Sequence, residues 1–215
     1  SNLRLILHAY YIKNGHIKNK TDKEKLSRFF QSITSEINIK NLSYLENIYF
    51  YQSLVWYNYI MLDFHKCFEN SLLWIELMKK NPILIDQDPD LFMRGYHYLL
   101  NSAYYIDAKK EYKLHNEDLT NFRQENYHKF TQNNQITSFL YVHLSRYNFH
   151  FLNKSYSGAL EVIPNTLRRI NKYKGKLDDH RIMVFYFKIA FTYLMTNHAD
   201  KAIEYLHKIM TMEVG

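Results

Sequence analysis

A single cysteine, Cys67, stands in 215 residues, which excludes an internal disulfide framework and suits a reducing compartment. Glycine and proline are nearly as scarce, at five and three. So few turn formers cannot punctuate many short strands, and long helices are left as the favoured elements. No apolar run reaches the length needed to cross a bilayer, and the first residues lack the basic, apolar and small-residue regions of a secretory leader. The expected compartment is therefore cytoplasmic. The chain opens Ser1-Asn2 without an initiator Met and reads as a piece of a longer protein.

Motifs for catalysis and metal binding are missing too. There is no H-E-x-x-H, no C-x-x-C, no glycine-rich phosphate loop and no G-x-S-x-G elbow. Asp86, Asp88 and Asp90 open like a calcium loop, but Leu91 and His97 stand where the turn glycine and the bidentate glutamate are needed. His143 and His150 share a helix face with no carboxylate at helical spacing to join them. Cys67, in HKCFEN, has no catalytic context and reads as a packing residue. The expectation is a protein that is not an enzyme and uses no cofactor or metal.

The net charge of +7 raises nucleic acid as a partner. Arg4, Lys13, Lys18 and Lys20 precede any acid, and a second cluster runs Arg168, Arg169, Lys172, Lys174 and Lys176. Both fall near predicted helix ends, where cations complement the C-terminal dipole. A nucleic-acid-binding helical repeat is accordingly the second reading.

Aromatic residues are plentiful, with 20 Tyr and 14 Phe, and they recur at helical rather than alternating spacing. Ten helices are predicted. The first covers Leu3 to Lys13; Thr21 with Glu24 forms a capping box before the second, and Ser43 with Glu46 repeats it before the third. The fourth runs from His65 to Lys80 and is stopped by Pro82. Asp88-Pro89 opens the fifth, a polar sixth spans Ala108 to Asn126, and Asn133-Asn134 begins the seventh. The eighth carries Pro164 and ends at Gly175, Asp178-Asp179 cap the ninth, and Asn197-His198 separate it from the tenth. Paired, these make five hairpins whose first helices start about 41–45 residues apart.

The last hairpin, IMVFYFKIAFTYLMTNHADKAIEYLHKIM from Ile182 to Met210, places Ala190 and Ala202 where two helices touch, with Tyr193 and Leu206 above and below. This resembles the tetratricopeptide repeat. The resemblance implies an all-α fold, a right-handed α-solenoid of about five antiparallel hairpins forming one domain over residues 1–215, with a globular helical bundle as the alternative. Aligned on their small-contact positions, the hairpins match at Val55, Leu100, Tyr147 and Ala190, and Cys67 matches Ala202; Leu100 and Tyr147 are larger than the family prefers. The family binds protein or peptide segments in a concave groove. Carried over, the groove is lined by Trp56, Tyr59, Arg94, His97, Asn101, Tyr104 and Asn148, partly open to solvent, with amides to meet a peptide backbone and Arg94 to meet a carboxylate. Beside it run Tyr49, Gln52, Leu144, Phe151, Val184, Phe187 and Phe191. The function so implied is a protein- or peptide-binding scaffold; a peptide-sensing regulatory domain is a special case. Alternatively these side chains bridge helices. The ninth predicted helix is apolar all round, and the first has apolar residues on more than one face. Each is expected to meet another segment, a partner or a second copy of the chain.

Overall fold

A computed structural model describes residues 2–212, which form eleven α-helices and, among the described residues, no strand. They are α1 (Leu3–Asn14), α2 (Lys20–Thr34), α3 (Tyr44–Ile60), α4 (Phe64–Lys80), α5 (Pro82–Gln87), α6 (Pro89–Tyr105), α7 (Lys109–Asn126), α8 (Gln132–Leu152), α9 (Tyr156–Lys172), α10 (Asp179–Met195) and α11 (Ala199–Met210). The helices group into two compact units, one ending at Ala108 and the other beginning at Lys109.

Helix starts follow from side-chain oxygens that accept the free amides of the first turn. Ser43 and Glu46 form the reciprocal box expected for α3, and Asp88 and Asp178 cap α6 and α10. Two starts differ from expectation. Asn19, not Thr21, caps α2 by accepting from the Asp22 amide at 2.9 Å, and Glu24 lies within 3.9 Å of Lys20 instead of reaching back. Helix α8 is boxed by Thr131 and Asn134, so it begins before Asn133. Helix α4 stops at Lys80 as expected, but Pro82 also opens the short α5, its fixed φ suiting a first helical position.

One turn recurs four times. Leu62, Asp107, Lys154 and Asn197 each adopt positive φ, at intervals of 45, 47 and 43 residues. At each, the next amide reaches back over the turn: Asp63 to Asn58, Ala108 to Ala103, Ser155 to His150 and His198 to Tyr193, all 2.8–2.9 Å. This left-handed cap satisfies carbonyls the ending helix leaves free. It does so without glycine, which is why the composition gave no warning of it.

In the first unit α1 packs on α3, α3 on α4 and α4 on α6, with α5 touching both α4 and α6. Trp74, Tyr96, Ile48, Ile60, Ile75 and Met78 are fully buried there. Gly95 allows the approach of α6, since a Cβ would stand 3.0 Å from Ile75 and 3.5 Å from the Trp74 ring. Val55 and Cys67 meet as expected, the thiol donating to the Val55 carbonyl oxygen at 3.4 Å. In the second unit α7 packs on α8, α8 on α9, α9 on α10 and α10 on α11, with α10 also reaching α8. Phe139, Tyr147, Ala159, Phe185 and Ile189 form its core. Helix α9 continues through Pro164, which faces solvent.

Candidate functional site

Six of the residues expected to line a groove lie in the first unit. Trp56 and Tyr59 share one face of α3, and α1 covers that face. The Trp56 ring stands 4.8 Å from His8, 5.6 Å from Tyr11 and 5.2 Å from Tyr98. Tyr59 meets Tyr11 at 5.5 Å, and its carbonyl oxygen accepts from His16 Nδ1 at 2.9 Å. Arg4 completes the seam by donating to Gln52 and lying over the Tyr49 ring. Trp56 is therefore buried rather than open, and burial raises the Tyr59 phenol above its ordinary range. These aromatics fasten α1 to α3.

Arg94, His97, Asn101 and Tyr104 recur at spacings of three and four along α6 and so share one face, where all four are half-buried. Asn101 Nδ2 donates to His97 Nε2 at 3.2 Å. Burial, and then the Arg94 charge, pull the His97 imidazole down to about 4, so it is neutral at physiological pH. A neutral imidazole, an amide and a guanidinium on one face can hydrogen-bond a polar ligand.

Asn148 belongs to the second unit and is also buried. Its Oδ1 accepts from Lys188 Nζ at 2.6 Å, which ties α8 to α10. Lys188 lies over the Phe151 ring, and burial lowers its ammonium to about 8. Phe151 and Phe191 meet at 5.0 Å. This part of the expected lining is an interhelical bridge capped by aromatics. Deeper still, Thr166 donates to the Val162 carbonyl oxygen at 2.9 Å and so can only accept from Tyr147, at 3.3 Å, and from His143 Nδ1, at 3.0 Å. That fixes the His143 tautomer, with its proton on Nδ1.

An open apolar surface lies on the last hairpin. Ala190, Ala202 and Tyr205 are buried between α10 and α11 as the small-residue contact requires, but Leu206 points outward. With Phe187, Phe191, Leu194, Ala199 and Ile203 it lines a groove of about 220 Å³ that is nearly devoid of polar atoms. Ile203 is 63% exposed, Leu194 58% and Phe187 57%. The apolar-all-round pattern of α10 points here, and the register argument names two of the lining residues, Phe187 and Phe191, while leaving out Leu194 and the whole α11 side. Helix α1 has a smaller exposed stripe of Leu5, Ile6 and Ile12 on the face away from α3.

Among the described residues no group of three His, Cys, Asp or Glu side chains converges, and no helix is long and apolar enough to cross a membrane. No family model matches the chain, and neither the curated proteins nor the solved structures give a match.

Proposed function

We propose that this chain is a tetratricopeptide-like helical repeat, wound as a right-handed solenoid, and that it works by binding a protein segment, with no catalysis of its own. The recurrence of one left-handed turn at intervals of 43 to 47 residues supports the repeat reading. The apolar groove between α10 and α11 supports the binding reading and carries it. Large side chains left in water on two adjacent helices mark an interaction surface, because monomeric proteins rarely leave such patches contiguous.

The occupant we assign to the groove is an amphipathic α-helix from a partner protein. The chain supplies its own precedent: α6 packs on α4, and α10 lies against both α9 and α8. An incoming helix with an apolar stripe would repeat that contact on α10 and α11, its anchors at i, i+3, i+4 and i+7. Burying the exposed part of Ile203 alone is worth about 1–2 kcal/mol, roughly five- to thirtyfold in affinity.

A displayed library of amphipathic helices tests this. Binders selected on the wild-type protein are expected to lose at least about tenfold in affinity against Ile203→Glu, which introduces a charge into the groove. The thermal midpoint of the variant should hardly move, since Ile203 is already exposed. Selected binders that tolerate Ile203→Glu would place the interaction elsewhere.

A further inference from the structure

Two guanidinium groups of the second unit meet at one ring without an acid, and a third lies near enough to act on the same buried imidazole, His143. Arg123 comes from α7, Arg146 from α8 and Arg169 from α9. The Arg123 and Arg169 guanidinium carbons lie 5.1 Å and 5.8 Å from the centroid of one ring, Tyr127. Arg123 Nε donates to Ser138 Oγ at 3.3 Å, and Arg169 donates to the Tyr127 hydroxyl at 3.1 Å. That hydroxyl also donates to Gln135 at 3.3 Å, so Tyr173 is the donor in the remaining 3.3 Å contact. Lys172 stands over the Tyr173 ring, which adds a fourth cation at the edge.

Among the described residues, none of the three arginines has a carboxylate within ion-pair distance. All three are half-buried. Their mutual effect is visible in their neighbours. Burial first, then the Arg169 charge with Arg146 adding to it, hold Arg123 below its ordinary value. His143 is lowered by burial and then by all three arginines. Burial pushes the Tyr127 phenol up, but hydrogen bonds from Tyr173 and Arg169 and the charges of Arg169 and Lys172 outweigh it. The field at this spot is positive and uncompensated. Half-buried like charges are destabilising unless a counter-charge joins them.

We propose that Arg123, Arg146 and Arg169 form a binding site for a phosphate monoester dianion. A single carboxylate would leave most of the positive charge uncompensated. A phosphodiester chain presents one charge per residue and calls for cations strung along a track, whereas Arg123 and Arg169 gather around one ring. A terminal phosphate carries close to two charges at neutral pH and three acceptor oxygens, which guanidinium forks match in pairs. The inference is independent of the apolar groove.

Calorimetric titration at constant ionic strength tests it, with inorganic phosphate and phenyl phosphate as probes in chloride buffer. Saturable binding is expected, tighter at pH about 8 than at about 6 because the second phosphate proton leaves near 6. Tighter binding of phenyl phosphate assigns the site to a phosphorylated ligand, and equal or tighter binding of inorganic phosphate to the free ion. Arg146→Gln should weaken both by at least about tenfold, because it removes a charge-assisted pair. It should fold at least as well as wild type without phosphate, since it relieves repulsion. Arg123→Lys keeps the charge, loses the fork and should weaken binding as well. Arg168→Gln, exposed beside Arg169 on α9, should change nothing. Heat effects no different from chloride, or an unaltered Kd in both Arg146→Gln and Arg123→Lys, would overturn the proposal. So would competition with phosphate by an oligonucleotide lacking terminal phosphates, which would give the site to a nucleic-acid backbone.

Discussion

Acid should unfold the second unit through His143. The imidazole is buried, donates to Thr166 from Nδ1, and sits in the field of three arginines; burial and those charges pull it down to about 3. An unfolded chain holds the same group near 6.5. A base whose folded value is depressed gives stability that is whole above the unfolded value and is lost as pH falls toward the folded one. The window is therefore pH 6.5 down to about 3. Each pH unit in that window costs about 1.4 kcal/mol, so by pH about 4.5 His143 alone removes about 2–3 kcal/mol. That is a large share of a typical domain's stability. Urea unfolding at stepped pH, comparing wild type with His143→Gln, isolates this group from His97, which titrates in the same direction. The variant loses packing and is less stable at neutral pH, but the gap should narrow by about 2–3 kcal/mol on acidification. A gap that stays constant with pH would mean His143 is either already charged or solvated, and the buried network would be wrong.

Four other outcomes follow from particular contacts. Asn148→Ala removes the Lys188 acceptor between α8 and α10 and should cost about 1–3 kcal/mol in urea unfolding, partly restored by adding Lys188→Met. Cys67 has its thiol pushed up to about 12 by burial, so alkylation should proceed only at the rate of unfolding; fast labelling of native protein would refute its packing role. Lys154→Gly should stabilise the protein by up to about 1 kcal/mol in thermal melts, because Lys154 is exposed and holds a positive φ that glycine adopts freely. Trp56→Ala should release α1, seen as faster hydrogen exchange at Leu7, one of the two residues α1 buries, with the α4 core still protected.

Helix positions were legible because caps and 3.6-residue stripes are local signals, and Ser43, Asp88 and Asp178 cap as the sequence implies. Thr21 misled because Asn19 is an equally good cap two residues earlier, and Pro82 misled because a proline that stops one helix also starts another. The lining residues were harder. Trp56 shares its face of α3 with Tyr59, and nothing local says that α1 folds back over both. Asn148 finds Lys188 40 residues away, a distance over which spacing says nothing. The arginine cluster escaped for the same reason, since its members come from three helices. Arg169 and Lys172 did stand out in the second basic cluster, but nothing tied them to Arg123, which precedes Tyr127 at the end of α7 as Arg169 precedes Tyr173 at the end of α9. Ala190 and Ala202 did mark the final hairpin, yet small-residue contacts report which helices touch and leave the outer face of each unassigned.

The binding reading is tested most directly by placing a photo-crosslinking amino acid at position 203, in the α10–α11 groove, and irradiating cells that make the protein naturally. A second copy of the experiment carries the crosslinker at Lys113, an exposed position on α7. The account predicts a discrete crosslink from position 203 to a segment of another protein that reads as an amphipathic helix, and none from position 113. Crosslinks equal at the two positions, or from position 203 only to further copies of this chain, would contradict it.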